Sequence, residues 1–107
     1  MYAYLSQFPY SNSMRGAVKG SAFERVVKKD LQRKGALVVR QGRSLFPDIV
    51  AVFKGPEVWL VECKAYAVPR AFKFEKAELC SLAESRGCTP VWATPGRTLK
   101  EVAYEFI

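Results

Sequence analysis

Two apolar segments joined by a short polar loop constrain the fold of this chain more than any other feature. Residues 47–53 and 58–64 are rich in β-branched and aromatic side chains, and the loop between them contains Gly55 and Pro56. Runs of this composition, separated by such a loop, are typical of paired strands. The sequence therefore predicts a hairpin of two buried strands.

The charged exceptions in these segments lie at the open end of the hairpin. Asp48 begins the first strand, and Glu62 and Lys64 end the second. Residues two apart on a strand point to the same face, so Glu62 and Lys64 are neighbours. Because the turn at Gly55 returns the second strand to the start of the first, we expect two carboxylates and an ammonium at one point of a sheet edge.

These side chains predict a metal site. Two carboxylates in an apolar setting repel each other and lose hydration, so both stay ionised only beside a compensating cation. Mg²⁺ prefers oxygen ligands and keeps waters for a phosphate and a nucleophile. We therefore expect Asp48, Glu62 and the backbone carbonyl of Cys63 to hold Mg²⁺. Lys64 is expected to orient or deprotonate water, or to neutralise charge on a phosphate.

A simpler alternative exists for the same residues. Asp48 could cap a strand, and Glu62 could form an ordinary ion pair with Lys64, worth about 0 to 1 kcal/mol. Three charged residues at the ends of two otherwise apolar strands favour the metal site.

The order of residues around the hairpin resembles a known nuclease family. Pro47-Asp48, followed after a gap by Glu62-Cys63-Lys64, is similar to the motif of the PD-(D/E)XK nuclease superfamily. Within it, the arrangement over about residues 19–90 resembles the archaeal-type Holliday junction resolvases, small homodimeric nucleases also found in viruses. The segments that carry this likeness are Lys19-Gly20-Ser21-Ala22-Phe23-Glu24-Arg25 at the head of a helix, Val38-Val39-Arg40 in a strand, and Ser44 before the Pro-Asp pair.

The resemblance implies an activity and further site residues. It implies an Mg²⁺-dependent endonuclease that cuts branched, four-way DNA, and Mn²⁺ is expected to substitute for Mg²⁺. It also implies that Glu24 acts in or near the metal site, and that Ser44 and Arg40 occupy functional positions. Glu24 has an alternative explanation, since Ser21 and Glu24 have the spacing of a helical capping box.

Composition limits the protein to a few classes. A chain of 107 residues, 50% of them hydrophobic, fits one domain with a modest core. No apolar run approaches the roughly 20 residues of a membrane span, so we expect no membrane contact. We expect a cytoplasmic protein, associated with the nucleoid or, if viral, in the host cytoplasm.

Three cysteines without a CxxC pair disfavour a zinc site or disulfide framework, and the lack of histidine excludes histidine catalysis.

A formal charge of +7 indicates a polyanionic partner, although a merely soluble basic protein is the alternative. Basic side chains on the outward side of the first predicted helix form a ridge suited to phosphates, and the same ridge is compatible with a solvated helix face. Arg43 is also predicted to bind DNA, because the loop that carries it precedes Asp48. The predicted DNA-binding residues are Arg25, Lys28, Lys29, Arg33, Arg40 and Arg43.

The remaining sequence predicts a small α/β sandwich of the restriction-endonuclease-like type, with a central mixed β-sheet flanked by helices. Residues 1–18 are predicted to be an N-terminal extension, disordered in part, and residues 19–107 a single nuclease domain. The expected elements of that domain are a helix from Ser21 to Lys34, a strand over 36–41, the hairpin, a helix over 73–86 ended by Gly87, and a strand over 89–93.

The C-terminal residues 98–107 permit two predictions. Thr98 and Glu101 have capping-box spacing and precede apolar residues at helical spacing. The alternation of Val102, Tyr104 and Phe106 also permits a strand. We favour the helix.

The second predicted helix has two apolar sides. One apolar side is opposite to Phe74 and Ala77, and it consists of Leu79, Cys80, Leu82 and Ala83. The first side would cover the sheet, and the other needs a partner. In the resembled nucleases the corresponding helix contacts a second subunit, so we expect a homodimer formed through the helix that carries Phe74.

Together these features predict a metal-dependent endonuclease that resolves four-way DNA junctions. One alternative is another nuclease of the same superfamily, of the repair or restriction type. A second is a non-catalytic nucleic-acid-binding module with a degraded nuclease fold. The intact set of Asp48, Glu62 and Lys64 disfavours the second alternative.

Overall fold

The structure is a computed structural model that describes residues 12–42, 45–66, 72–98 and 100–107. Its elements, in chain order, are α1 (Asn12–Arg33), β1 (Leu37–Arg40), β2 (Ile49–Val52), β3 (Val58–Cys63), α2 (Lys73–Arg86), β4 (Thr89–Pro95) and β5 (Val102–Phe106). Within these ranges, neither helix has the length and apolar character needed to cross a membrane.

The five strands form one mixed sheet with the order β1-β2-β3-β4-β5. β1, β2 and β3 pair as an antiparallel meander, in which Val50 lies opposite Leu60. α2 then crosses over, so that β4 runs parallel to β3, and β5 returns antiparallel to β4. The predicted hairpin and the predicted mixed sheet are both confirmed.

The sheet lies between the two helices, with an apolar core on each side. On one side Phe23, Val27 and Leu31 recur at helical spacing and pack α1 onto the sheet. On the other side Leu79 and Ala83 pack α2 onto it. β3 is buried on both faces near its end, which explains its continuous apolar sequence. The predicted sandwich is confirmed.

The second helix matches its prediction. α2 spans Lys73–Arg86 and ends at Gly87, whose φ of 67° is in the left-handed region. Glycine adopts that conformation without the steric penalty of a side chain, which suits a helix C-terminus. Phe74 is 87% exposed, so α2 presents a large apolar side chain to solvent on its outer side.

The start of the first helix differs from the prediction. α1 begins at Asn12 rather than Ser21, so the capping-box pattern lies inside a helix, where the backbone N–H groups already have partners. The Ser21 hydroxyl instead accepts a hydrogen bond from Arg25 Nη1 at 3.3 Å. The predicted boundary at residue 18 falls within α1, and residues 1–11 of the predicted extension lie outside the described residues.

The helix favoured for residues 98–107 is wrong, because this segment ends in the strand β5. Val102 and Tyr104 are half-buried and alternate with exposed residues. Thr98 and Glu101 close a turn rather than a helix, since the Glu101 N–H donates to the Thr98 carbonyl at 3.2 Å. Pairing with β4 gives the segment backbone partners that its local sequence does not reveal.

Candidate active site

Asp48 and Glu62 meet at the sheet edge where β2 begins and β3 ends. Arg40 lies opposite Ile49, and Ile49 lies opposite Val61. The residues next in register are Asp48 and Glu62, one on each strand of the hairpin. The structure therefore brings together the two carboxylates that the sequence placed at the open end of the hairpin.

Backbone groups hold these carboxylates in place. The Asp48 N–H donates to Glu62 Oε1 at 3.2 Å. The Cys63 N–H donates to Asp48 Oδ2 at 2.9 Å. Each strand end thus binds the carboxylate of the other strand. Because backbone atoms fix the pair, the register of the hairpin determines its geometry.

Burial and mutual repulsion disfavour ionisation of this pair. Glu62 is 6% exposed, and desolvation, followed by the negative charge of Asp48, raises its pKa to about 8. Desolvation also raises the pKa of Asp48, with a further rise from the charge of Glu24, although the hydrogen bond from Cys63 opposes this change. Near pH 7 the pair therefore retains a proton.

The donor set of this pair fits Mg²⁺. Two carboxylates that hold one proton between them offer hard oxygen donors at the position where a divalent cation would replace that proton. Asp48, Glu62 and the Cys63 carbonyl would hold it. Within the described ranges, no three or more Cys, Asp and Glu side chains gather into a metal-binding group. Metal binding by these residues stays a prediction.

The Lys64 ammonium lies beside the carboxylate pair. Its Nζ is 3.7 Å from Glu62 Oε2 and 3.1 Å from Glu75 Oε2. The ring of Phe72 lies below it, with its centroid 4.6 Å from Nζ. The Lys64 side chain is 21% exposed, so the ammonium sits at the rim of the site rather than in the core.

Glu24 and Arg40 form an ion pair near the same sheet edge. Arg40 Nη2 donates to Glu24 Oε1 at 3.0 Å. Arg40 Nε is buried and has no hydrogen-bond partner among the described residues. Since an unpaired buried donor costs about 1–3 kcal/mol, an acceptor bound here would stabilise the site. The structure thus pairs Glu24 with Arg40, and a role for Glu24 at a metal stays a prediction.

The basic residues predicted on α1 differ in exposure. Arg25, Lys29 and Arg33 recur every four residues, so they lie one above another on the helix, and all are exposed. Arg33 pairs with Asp30 at 3.3 Å. Lys28 is only half-exposed. The exposed stripe is available to a phosphate backbone, and DNA binding by it stays a prediction.

The loop between β1 and β2 holds two further predicted residues, Arg43 and Ser44, which lie outside the described residues. Its ends are tied together by Gln41, which was not predicted as a site residue. Gln41 Nε2 donates to the Pro47 carbonyl at 2.7 Å. Its backbone N–H donates to the Asp48 carbonyl at 2.9 Å. Gln41 therefore helps to fix the position of Asp48.

Two residues that contact Lys64 were also missing from the predicted site. Phe72 and Glu75 lie at the start of α2. A glutamate in the first turn of a helix has an ordinary explanation in the helix dipole. The sequence between Lys64 and Phe72 contains no pattern that predicts how α2 returns to the site, so neither residue could be assigned in advance.

Comparison with known proteins places this geometry in a family. The family model described as archaeal Holliday junction resolvase (Hjc) matches residues 15–91, which include both strand ends of the site. The crossover junction endodeoxyribonuclease Hjc of Methanocaldococcus jannaschii is 36% identical over 77 residues, which are 70% of this chain and 57% of that protein. This chain therefore spans little more than half the length of that relative.

A solved structure agrees with the sequence match. Hjc of Archaeoglobus fulgidus, described as a Holliday junction resolvase from an archaeal hyperthermophile, matches with a TM-score of 0.63 and 28% identity. The match covers 83% of this chain and 71% of that one. Since the family model matches most of the chain and the sheet carries the motif residues at its edge, the chain belongs to the archaeal Holliday junction resolvase family of the PD-(D/E)XK nuclease superfamily.

Proposed function

We propose that this protein is an Mg²⁺-dependent endonuclease that resolves four-way DNA junctions. The observation that carries the proposal is the pair of Asp48 and Glu62, held by backbone hydrogen bonds with Lys64 beside it. The names of the relatives support the substrate class, since both are called junction-cleaving or junction-resolving proteins. The site residues support the chemistry.

The paired carboxylates would bind the cation, with the Cys63 carbonyl as the proposed third ligand. A bound Mg²⁺ would supply polarisation of the scissile phosphate and acidification of water, and Mn²⁺ is proposed to substitute. Lys64 orients the attacking water or stabilises negative charge on the phosphate. The Lys64 side chain is 21% exposed, and the DNA backbone would approach its ammonium from the solvent side.

Basic side chains near this edge would hold the phosphates that flank the cut. Arg40 would contribute the positive charge of its guanidinium, whose Nη2 also donates to Glu24. Arg25 and Lys29 extend the positive surface along α1. The net charge of +7 supports a polyanionic partner. Arg43 and Ser44 are proposed to contribute from the loop that precedes Asp48.

We further propose that the protein acts as a homodimer. Paired cuts across a junction need two sites at a fixed spacing, and a two-fold dimer supplies them. Phe74 is 87% exposed on the side of α2 that faces away from the sheet. Burying this side chain against a second copy would remove an apolar surface from water, so α2 is the proposed interface helix.

Cleavage of labelled four-way, flap and linear DNA tests the proposal, with Glu62→Gln as the inactive control. The parent protein with Mg²⁺ is expected to make paired cuts in four-way DNA, to leave linear DNA intact, and to cut nothing without added metal. Preferred cutting of flaps or of linear duplex would assign a repair or restriction activity instead. Binding without cutting under every metal condition would assign a non-catalytic module.

A further inference from the structure

Lys64 makes its shortest ionic contact with a residue outside the nuclease motif. Its Nζ is 3.1 Å from Glu75 Oε2, a hydrogen-bonding distance. The distance from the same Nζ to Glu62 Oε2 is 3.7 Å. Two carboxylates therefore compete for one ammonium, and Glu75 is the nearer of the two.

Phe72, the residue that precedes α2, places its ring against the same ammonium. Phe72 has φ 68° and ψ 20°, a left-handed conformation that bulky residues rarely adopt. Strained backbone of this kind persists only where the surrounding structure holds it. Here it places the Phe72 ring centroid 4.6 Å from Lys64 Nζ and 5.7 Å from the Trp92 ring. The ring face offers the cation a favourable electrostatic partner.

The first turn of α2 is anchored independently of Lys64. Lys76 Nζ lies 3.0 Å from Glu105 Oε1 on β5. The same Nζ lies 5.4 Å from the centroid of the Trp92 ring on β4. Lys76 thus ties the first turn of α2, and with it the backbone of Glu75, to β4 and β5 through contacts that do not involve Lys64.

We propose that Glu75 is a positioning residue for the nuclease reaction, acting through the Lys64 ammonium. This inference rests on the proposed function. Glu75 draws the ammonium away from Glu62 Oε2, which leaves that oxygen to the cation. Together with the Phe72 ring, Glu75 also restricts the flexible Lys64 side chain to one position at the rim of the site. At that position the ammonium meets the substrate phosphate.

The ordinary explanation of Glu75 makes different predictions. A carboxylate in the first helical turn interacts favourably with the helix dipole, and its removal would lower stability without affecting the reaction step. Glu78 provides a matched control, because it is exposed on the same helix and its change to glutamine alters the net charge equally. The comparison of Glu75→Gln with Glu78→Gln therefore separates positioning of Lys64 from the loss of one negative charge. Because Glu75 alone of the two lies in the first turn of α2, the melting temperature of each variant measures the contribution of the helix dipole.

The experiment compares the parent, Glu75→Gln and Glu78→Gln on labelled four-way DNA. Single-turnover cleavage with Mg²⁺ measures the reaction step, and junction binding without metal measures affinity. We expect Glu75→Gln to cut about 10-fold or more slowly than Glu78→Gln, since misplacing a reacting group by ~1 Å can cost about 100-fold. The junction dissociation constants of the two variants should agree.

A second readout reports the contact without relying on activity. Proton–nitrogen correlation spectra of the lysine ammonium groups show those whose exchange is slowed by hydrogen bonds, and Lys64→Arg identifies the Lys64 signal. The signal should persist in Glu78→Gln and disappear in Glu75→Gln. Retention of the signal in Glu75→Gln, or equal cleavage rates for the two glutamine variants, would overturn the proposal.

The experiment distinguishes failure of the positioning role of Glu75 from failure of the proposed function. A slower Glu75→Gln whose deficit is fully explained by weaker junction binding or a lower melting temperature also overturns the positioning role. If the parent itself cuts no DNA with any divalent metal, the proposed function fails, and the role of Glu75 in that reaction fails with it. An active parent with an unaffected Glu75→Gln variant leaves the proposed function standing and rejects only this inference.

Discussion

The backbone N–H of Asp48 donates a 3.2 Å hydrogen bond to the carboxylate of Glu62, which lies across the hairpin. The backbone of the second strand returns the contact through Cys63, whose N–H binds the Asp48 carboxylate at 2.9 Å. The separation of the two acidic groups is therefore a property of the β2–β3 register. A one-residue slip of that register would turn one carboxylate to the other face of the sheet.

The first prediction concerns the residues that would hold the metal and support the reaction. Asp48→Asn, Glu62→Gln and Lys64→Ala should each abolish junction cleavage and leave junction binding largely unchanged, because Arg40 and the basic side chains of α1 supply most of the proposed phosphate contacts. Ca²⁺ should bind without supporting turnover. Gel-based cleavage and binding assays with the same four-way DNA measure both quantities, and cleavage by Glu62→Gln at a rate near that of the parent would reject the assignment.

The second prediction concerns the pH dependence of stability in metal-free protein. The pKa of Glu62 rises from 4.5 to about 8 on folding, so between these values the folded state keeps a proton that the unfolded chain has released. The contribution of Glu62 to the free energy of unfolding should therefore be fully present below this window and be lost as the pH rises through it, by at most about 1.4 kcal/mol per pH unit. Asp48, whose pKa is also raised, acts in the same direction.

This slope is measured by urea unfolding in the presence of EDTA at several pH values from about 5 to about 8.5. Glu62→Gln is the control, because its amide does not titrate and its unfolding free energy should fall less steeply. Added Mg²⁺ should stabilise the parent more at the alkaline end, where no proton competes for the carboxylates. Parallel slopes for parent and control would show that another group governs the dependence.

The parts of the fold that local sequence determines were predicted correctly. The hairpin follows from two apolar runs around Gly55, and α2 ends at Gly87 because glycine accepts a left-handed φ there. Asp48 and Glu62 could be placed together for the same reason, since strand pairing alone brings them to one edge. These features depend on residues close in sequence or on simple alternation.

The wrong or missing predictions concern elements and contacts whose structure depends on residues distant in sequence. β5 is a strand because the edge of β4 is available to it, although Thr98 and Glu101 have capping-box spacing. The capping box at Ser21 failed because α1 extends to Asn12. Glu75 escaped prediction since its contact with Lys64 requires the path of the chain between β3 and α2, which no periodicity specifies.

The third prediction concerns assembly. Phe74 is exposed on the outer side of α2, so Phe74→Asp should weaken a dimer formed through that helix by placing a charge in an apolar contact. Sedimentation at micromolar protein concentration should show a dimer for the parent and a larger monomer fraction for the variant. Lys73→Gln, at an exposed neighbour on the same helix, is the control, because it also makes the net charge more negative by one unit. A monomeric parent that still cuts junctions symmetrically would reject the dimer.

The fourth prediction concerns the exposed basic stripe of α1. If Lys29 binds a DNA phosphate, association releases condensed counterions, and the logarithm of affinity falls linearly with the logarithm of salt concentration. Lys29→Gln should flatten this slope by about 0.9 for each DNA phosphate that the variant no longer neutralises, and by about twice that in a dimer.

Arg40→Ala should also slow cleavage, because Arg40 lies at the site edge, paired with Glu24.

Lys54 provides the matched control for this measurement. It is exposed in the turn between β2 and β3, at the end of the hairpin opposite to Asp48 and Glu62, so Lys54→Gln removes the same charge away from the site. Asp48→Asn protein prevents cleavage while the affinities are measured between low and physiological salt. A flatter slope for Lys29→Gln alone would assign the α1 stripe to the DNA interface. Equal slopes for the two variants would show that the stripe is a solvated helix face, and that the DNA lies on another surface.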